Sequence, residues 1–233
     1  MTARSHSFAL PTELVGRRVA LRPLTEADYE AWADVRHRCK DWLLKWEPLP
    51  MPGRRDVTET RHTFGARCAA REREWQLGSG YGFGIFVNEP RRPMREDRTA
   101  SNAARGSASE GLRGSRRLGG EINLSSVQRG PYQNAYVGYW IDEALAGQSY
   151  MPEALVVVAR FAFEDLGLHR IQVSVIPRNV ASRRVAEKVG LRNEGVAERY
   201  LQIAGVWEDH VRYAMTSEEW DERADELIAA WIR

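Results

Sequence analysis

The sequence predicts a mixed α/β fold, a mostly antiparallel sheet of seven strands flanked by helices. Three observations predict it. β-rich runs at 81–87, 118–127 and 135–141 follow one another as a meander would. An apolar helical segment, 152–166, then stands between the third run and the next, 169–175, and has the length of a crossover connection. Runs at 196–203 and 207–215 flank Ala204 and Gly205, which is a hairpin signal. A meander continued by a crossover helix gives a mixed sheet with helices packed on it.

The elements follow in order. Residues 19–23, Val-Ala-Leu-Arg-Pro, combine apolar and basic side chains and read as a first strand. Thr25 with Asp28 makes a capping-box pattern, and Leu24 and Tyr29 are placed for a hydrophobic staple. Trp32, Trp42 and Trp46 mark an aromatic helical region, read first as core because these side chains carry the largest apolar area. A second helix is expected over 56–76, before the meander. Later, Asn179 is a good N-cap, Gly190 a good C′ residue, and Val185 with Val189 gives one apolar face, so a short helix lies between them. Thr216 and Glu219 cap a last helix carrying Trp220, Leu227, Ile228 and Trp231.

Of 233 residues 43% are hydrophobic and eight are Trp, enough for a sizeable core, and the chain reads as one domain, 1–233, with an insert at 88–117. That insert holds eight Arg against four acids and hardly a large apolar residue, so it buries too little surface to offset its ordering entropy. Its net +4 leaves −2 on the rest of a chain whose total is +2. The plain reading is a solvated loop between two strands, and the sharper one is a basic arm in weak contact with RNA or the ribosome. A total charge this small argues neither for a nucleic-acid-binding protein nor for a membrane-surface protein. Cys39 and Cys68 stand far apart, and His6, His37, His62, His169 and His210 are scattered without i, i+3 or i+4 partners, so no metal site is expected. No Gly-x-Ser-x-Gly elbow, signal-type segment or long apolar run is present, and a reduced cytoplasmic setting without membrane association is expected.

The run 135–141 delivers the chain to Gly147, Gln148 and Ser149, and Pro152 stands where a helix would start. Such a join leaves N–H groups pointing outward at a helix N-terminus, a ready anion site. Ala144, Leu145, Ala146, Gly147, Gln148 and Ser149 resemble the Gln/Arg-x-x-Gly-x-Gly/Ala turn of the GCN5-related N-acetyltransferases, with Ala144 in place of the polar first residue. Asn179, Ser182, Val185, Lys188 and Gly190 resemble the Asn-x-x-Ser-x-x-(Val/Ala)-x-x-Lys-x-Gly run of the same family. In the hairpin, Tyr200, Leu201, Gly205, Trp207, Asp209, His210 and Val211 resemble the ribosomal-protein-alanine N-acetyltransferases of the RimJ and RimL type, RimJ above all.

The resemblance implies a splayed strand pair that binds acetyl-coenzyme A. Pyrophosphate would lie on Ala146, Gly147, Gln148, Ser149 and Tyr150, pantetheine along Tyr139, Trp140 and Ile141, and the sulfur near Asn179 and Ser182. It implies direct acetyl transfer to a primary amine, the N-terminal α-amine of a ribosomal or other protein, by a monomer or homodimer. A small-molecule amine acetyltransferase and a non-catalytic acyl-coenzyme A sensor are the alternatives, the second suggested by Ala144.

Amide formation from a thioester needs a neutral amine, a donor for the developing oxyanion and a donor for the leaving thiolate. On the resemblance, a backbone N–H around 139–141 meets the oxyanion, Ser182 or Tyr200 meets the thiolate, and Glu121 or Glu198 serves as base, with Trp42, Trp46 and Pro48 at the acceptor wall. Tyr200 is equally a packed hairpin aromatic, and either glutamate an ordinary solvated strand residue. An α-amine titrates near 7.7 to 8.0 and a lysine near 10.4, so an N-terminus asks little of its base.

Overall fold

The computed structural model describes residues 11–48, 60–88 and 116–233. Eight strands form one sheet in the order β1-β2-β3-β4-β5-β6-β8-β7. They are β1 Leu14–Val15, β2 Val19–Arg22, β3 Tyr81–Asn88, β4 Arg116–Gln128, β5 Asn134–Ile141, β6 Arg170–Val175, β7 Arg192–Ile203 and β8 Val206–Thr216. Neighbours are antiparallel except β5 and β6, which the crossover makes parallel. The helices are α1 Tyr29–Arg38, α2 Lys40–Leu44, α3 Arg61–Leu77, α4 Tyr150–Arg160, α5 Val180–Val189 and α6 Ser217–Trp231.

The expected seven strands become eight because β1 is only two residues long, too short for alternation to show, and forms by pairing Leu14 with Leu21 and Val15 with Ala20. The expected insert 88–117 falls outside the described residues except at its ends, where Asn88 closes β3 and Arg116 and Arg117 open β4 in register with it. The basic arm, with its RNA contact, also lies outside them. Helix α3 starts at Arg61 with Thr60 as its cap. Helix α4 starts at Tyr150, two residues before Pro152, whose missing N–H costs nothing in a first turn.

One face of the sheet packs on α4, α5 and α6. Helix α4 is buried from Met151 to Ala159, because it crosses behind the sheet and is itself covered by α5 and α6. Truncating a fully buried side chain such as Leu155 to Ala would cost about 2–5 kcal/mol. On the other face α1 and α3 cover β3 and β4 through Trp32, Phe64, Phe86 and Leu118, and Trp140 joins this cluster to a second one of Val35, Cys39 and Leu43. No helix among the described residues is long and apolar enough to cross a membrane.

Candidate active site

Strands β5 and β6 pair at Asn134↔Arg170, Ala135↔Ile171 and Tyr136↔Gln172 and then part. A cavity of about 780 Å³ fills the opening, with Val137 to Ile141 on one side and Val173, Ser174 and Val175 on the other. Which main-chain groups face it follows from alternation. Asp142 N–H donates to Gly119 O of β4 at 2.7 Å, so the N–H groups of Ile141, Tyr139 and Val137, one residue out of phase, face the opening. Gly120 agrees: a Cβ there would lie 2.3 Å from Trp140 O, so that carbonyl is turned to β4 and the Ile141 N–H of the same peptide is turned away.

Beyond β5 the chain forms a turn whose donors converge. Gly147 and Ser149 both sit in the left-handed region, at φ 76° and 65°. Glycine does so freely, and a Cβ on Gly147 would meet nothing within 4 Å, so the turn is open on that side. Arg18 braces it from behind, donating to Gln148 O at 3.0 Å, Ser149 O at 3.1 Å and the Glu153 carboxylate at 2.9 Å, with its guanidinium 4.5 Å from the Tyr150 ring centre. Glu153 is buried and also accepts the main-chain N–H groups of Arg18 and Val19. Carbonyls held toward Arg18 aim the N–H groups of Ser149 and Tyr150 the opposite way, because each trans peptide is planar. Neither N–H has an acceptor among the described residues. With the helix dipole behind them and Arg184 and Lys188 on the rim, they suit a polyphosphate.

At the opposite end, Asn179 Oδ1 caps α5 by accepting from Ser182 N–H at 3.1 Å. The Ser182 hydroxyl donates to Tyr139 OH at 3.1 Å, and Tyr139 OH donates to Ser182 O at 3.1 Å, bridging the opening from β5 to α5. Burial pushes the Tyr139 phenol up, more than its bond to Ser182 lowers it, so it remains a proton donor at neutral pH. An apolar arm of the cavity continues past them along Trp42, Trp46 and Pro48 to Leu201 and Ile203. Glu47 O accepts the Ala204 N–H at 3.1 Å and ties this wall to the hairpin, while its carboxylate accepts from Arg36 Nη2 at 2.7 Å.

A model of the acetyltransferase (GNAT) domain matches residues 18–192. The chain belongs to the GNAT family. It is an N-acetyltransferase by relationship as well: it is 32% identical over 84% of its length, and 93% of the relative's, to the Bacillus subtilis protein named "Probable N-acetyltransferase YjcK". To the [ribosomal protein uS5]-alanine N-acetyltransferase of Escherichia coli it is 28% identical, over 83% of this chain and 86% of that one. Among solved structures, Mycobacterium smegmatis RimJ in complex with CoA-disulfide superposes with a TM-score of 0.74 at 27% identity, covering 94% of this chain and 92% of that one.

In this GNAT site Tyr139, Trp140, Ile141, Ala146, Gly147, Ser149, Tyr150, Asn179 and Ser182 line the cavity. Gln148 does not, since its amide folds back to donate to Ala144 O at 2.7 Å and only its main chain serves the turn. Glu121 is off the lining too. Its carboxylate accepts from Trp32 Nε1 at 2.7 Å and from Arg67 at 2.9 Å, inside the cluster under α1 and α3. Glu198 is exposed and Tyr200 lies outside the lining, which β7 reaches through Leu201 and Ile203; the strand carries a bulge between Ala197 and Leu201, with Arg199 at φ 45°. Tyr200 packs instead edge-on to the His210 ring, with Arg212 4.7 Å over its own. Sequence reasoning missed Arg18, Glu153 and Ser174, and set His210 aside. No local pattern marks the first three. The hairpin motif containing His210 was the one available signal.

Proposed function

We propose that the chain transfers the acetyl group of acetyl-coenzyme A to the N-terminal α-amine of a protein, ribosomal or another small one, in a ternary complex. The observation that carries this reading is one continuous cavity from the Gly147 turn, through the parted strands, to the apolar arm at Trp42, Trp46 and Leu201. Such a cavity holds donor and acceptor together, which removes the entropic cost of bringing them into register.

The N–H groups of Ser149 and Tyr150 hold the pyrophosphate, assisted by Arg184 and Lys188. Those of Val137, Tyr139 and Ile141 take the pantetheine amides and, nearest the carbonyl carbon, the developing oxyanion. Ser182 turns its hydroxyl from Tyr139 to donate to the sulfur as the C–S bond breaks. On the acceptor arm the acidic side chain Glu47 is already engaged by Arg36, so a polyamine finds no free carboxylate there among the described residues, whereas an N-terminus with a small side chain needs none. The names of the uS5 and RimJ relatives point the same way.

Incubation with acetyl-coenzyme A and a peptide starting with alanine should release free thiol, and the same peptide blocked at its N-terminus should release none. Turnover with spermidine or an aminoglycoside and not with any peptide would replace this reading by the small-molecule one.

A further inference from the structure

The parted strands open through the sheet, so the cavity has two faces with different chemistry. Tyr139 and Ser182 lie on the side of α5. On the other side stand residues that alternate with them: Ser174 of β6, opposite Arg212 of β8 in register, and His210, two residues before Arg212 and on the same face. Ser174 and His210 both line the cavity, and neither is absorbed by the mechanism above.

The His210 ring is 3% exposed and its orientation is determined. Nδ1 lies 2.9 Å from the main-chain carbonyl of Glu208. A carbonyl oxygen has no proton to give, so Nδ1 carries the hydrogen and the neutral ring keeps its lone pair on Nε2. The Tyr200 ring, 5.6 Å away and edge-on, holds the imidazole in that plane. No partner meets Nε2 among the described residues. Ser174 supplies a second, independent observation, since its hydroxyl oxygen is buried and has no hydrogen-bond partner. Buried polar atoms are nearly always satisfied, and one left open on a cavity wall is a place for a ligand's polar group.

Resting on the acetyl-transfer reading above, the geometry points to His210 as the general base for the acceptor amine and Ser174 as the group that holds that amine in place. The amine nitrogen donates its lone pair to the thioester carbonyl carbon, forming the C–N bond as the C=O pair moves to oxygen, and gives a proton to His210 Nε2. Collapse returns the pair to C=O and breaks C–S. The thiolate leaves on the α5 side, where Ser182 donates a hydrogen bond, and takes up a proton from solvent, to which the imidazolium returns its own. Base and leaving-group donor thus stand on opposite faces of the sheet. The charged or titratable groups around the ring are Glu208 paired with Arg178, Asp209 beside Arg199 N–H, Tyr200, Arg212 and the Arg36-bound Glu47.

The test uses the full chain with acetyl-coenzyme A and three amines: an alanine-initiated peptide, a lysine-bearing peptide blocked at its N-terminus, and spermidine. His210→Asn keeps a donor where Nδ1 stood and removes Nε2. With the best amine, kcat should fall about a hundredfold or more while coenzyme A affinity is unchanged, the acidic limb of the kcat/KM profile should vanish, and added imidazole should restore part of the rate to His210→Gly. Ser174→Ala should raise the acceptor KM several-fold and leave kcat nearly unchanged. A His210→Asn kcat within threefold of wild type overturns the inference alone. Loss of turnover in step with loss of coenzyme A binding makes His210 a packing residue and also overturns it. If the wild type acetylates none of the amines, the acetyl-transfer reading fails and this inference with it.

Discussion

Arg18 and Ser149, 131 residues apart, are joined by a hydrogen bond of 3.1 Å from the guanidinium to a main-chain carbonyl. That bond, with its neighbour to Gln148, decides which way the turn presents its N–H groups. Arg18→Met should therefore weaken coenzyme A binding about tenfold, equivalent to about 1.4 kcal/mol, with kcat little changed. Calorimetric titration with coenzyme A checks it, with Gly147→Glu as the variant that should not bind at all.

Ser182 has two separable duties. Its N–H completes the Asn179 cap and its hydroxyl meets Tyr139. Ser182→Ala keeps the first and removes the second, so the helix should hold and coenzyme A should bind as before. Loss of a donor to a developing thiolate is expected to lower kcat about ten- to a hundredfold. Thiol-release kinetics at saturating acetyl-coenzyme A measure it.

Glu121 holds α1 and α3 to the sheet through Trp32 and Arg67. Glu121→Gln should lower stability by about 1–3 kcal/mol, since it leaves Arg67 without its counter-charge. The kcat should stay within threefold. A collapse of kcat at unchanged stability would make Glu121 the base after all.

Asp142 ties the start of the Gly147 turn to α1 and β4. It is fully buried and accepts from Arg38 at 2.6 Å and from Arg117 at 2.9 Å. Burial pushes its carboxyl up, but the hydrogen bonds from Arg38, Ala144 N–H and Arg117 together outweigh this and hold it well below the usual carboxylate range. A folded-state pKa below the unfolded one contributes stability in full above the unfolded value, near 3.9, and loses it as pH falls through the folded value. Wild-type stability should accordingly fall below about pH 4. Asp142→Asn should be less stable by about 3–5 kcal/mol at neutral pH, and its stability should change less below pH 4. Urea midpoints measured across that pH range check both statements.

The turn and the capped helix that line the cavity were legible because their signals are local. Gly147 announces a left-handed turn, Asn179 a cap and Gly190 a helix end, each within a few residues of what it controls. The acceptor half was not. Glu121 was placed on the right strand, but its partners come from α1 and α3, and no pattern along β4 says which helix will lie over it. Glu198 and Tyr200 were placed on the right strand too, but neither lines the cavity, which β7 meets through Leu201 and Ile203.

By itself the sequence determined the order of the longer strands and helices, the family, and the turn and capped helix that line the cavity, because periodicity, caps and glycine conformations act over a few residues. Only the tertiary structure decided that β5 and β6 part after Tyr136, that Arg18 orients a turn 130 residues away, and that His210 and Ser174 stand across the sheet from Ser182. Those relations depend on which strands become neighbours and how far their register holds, and these are settled by packing the whole chain at once.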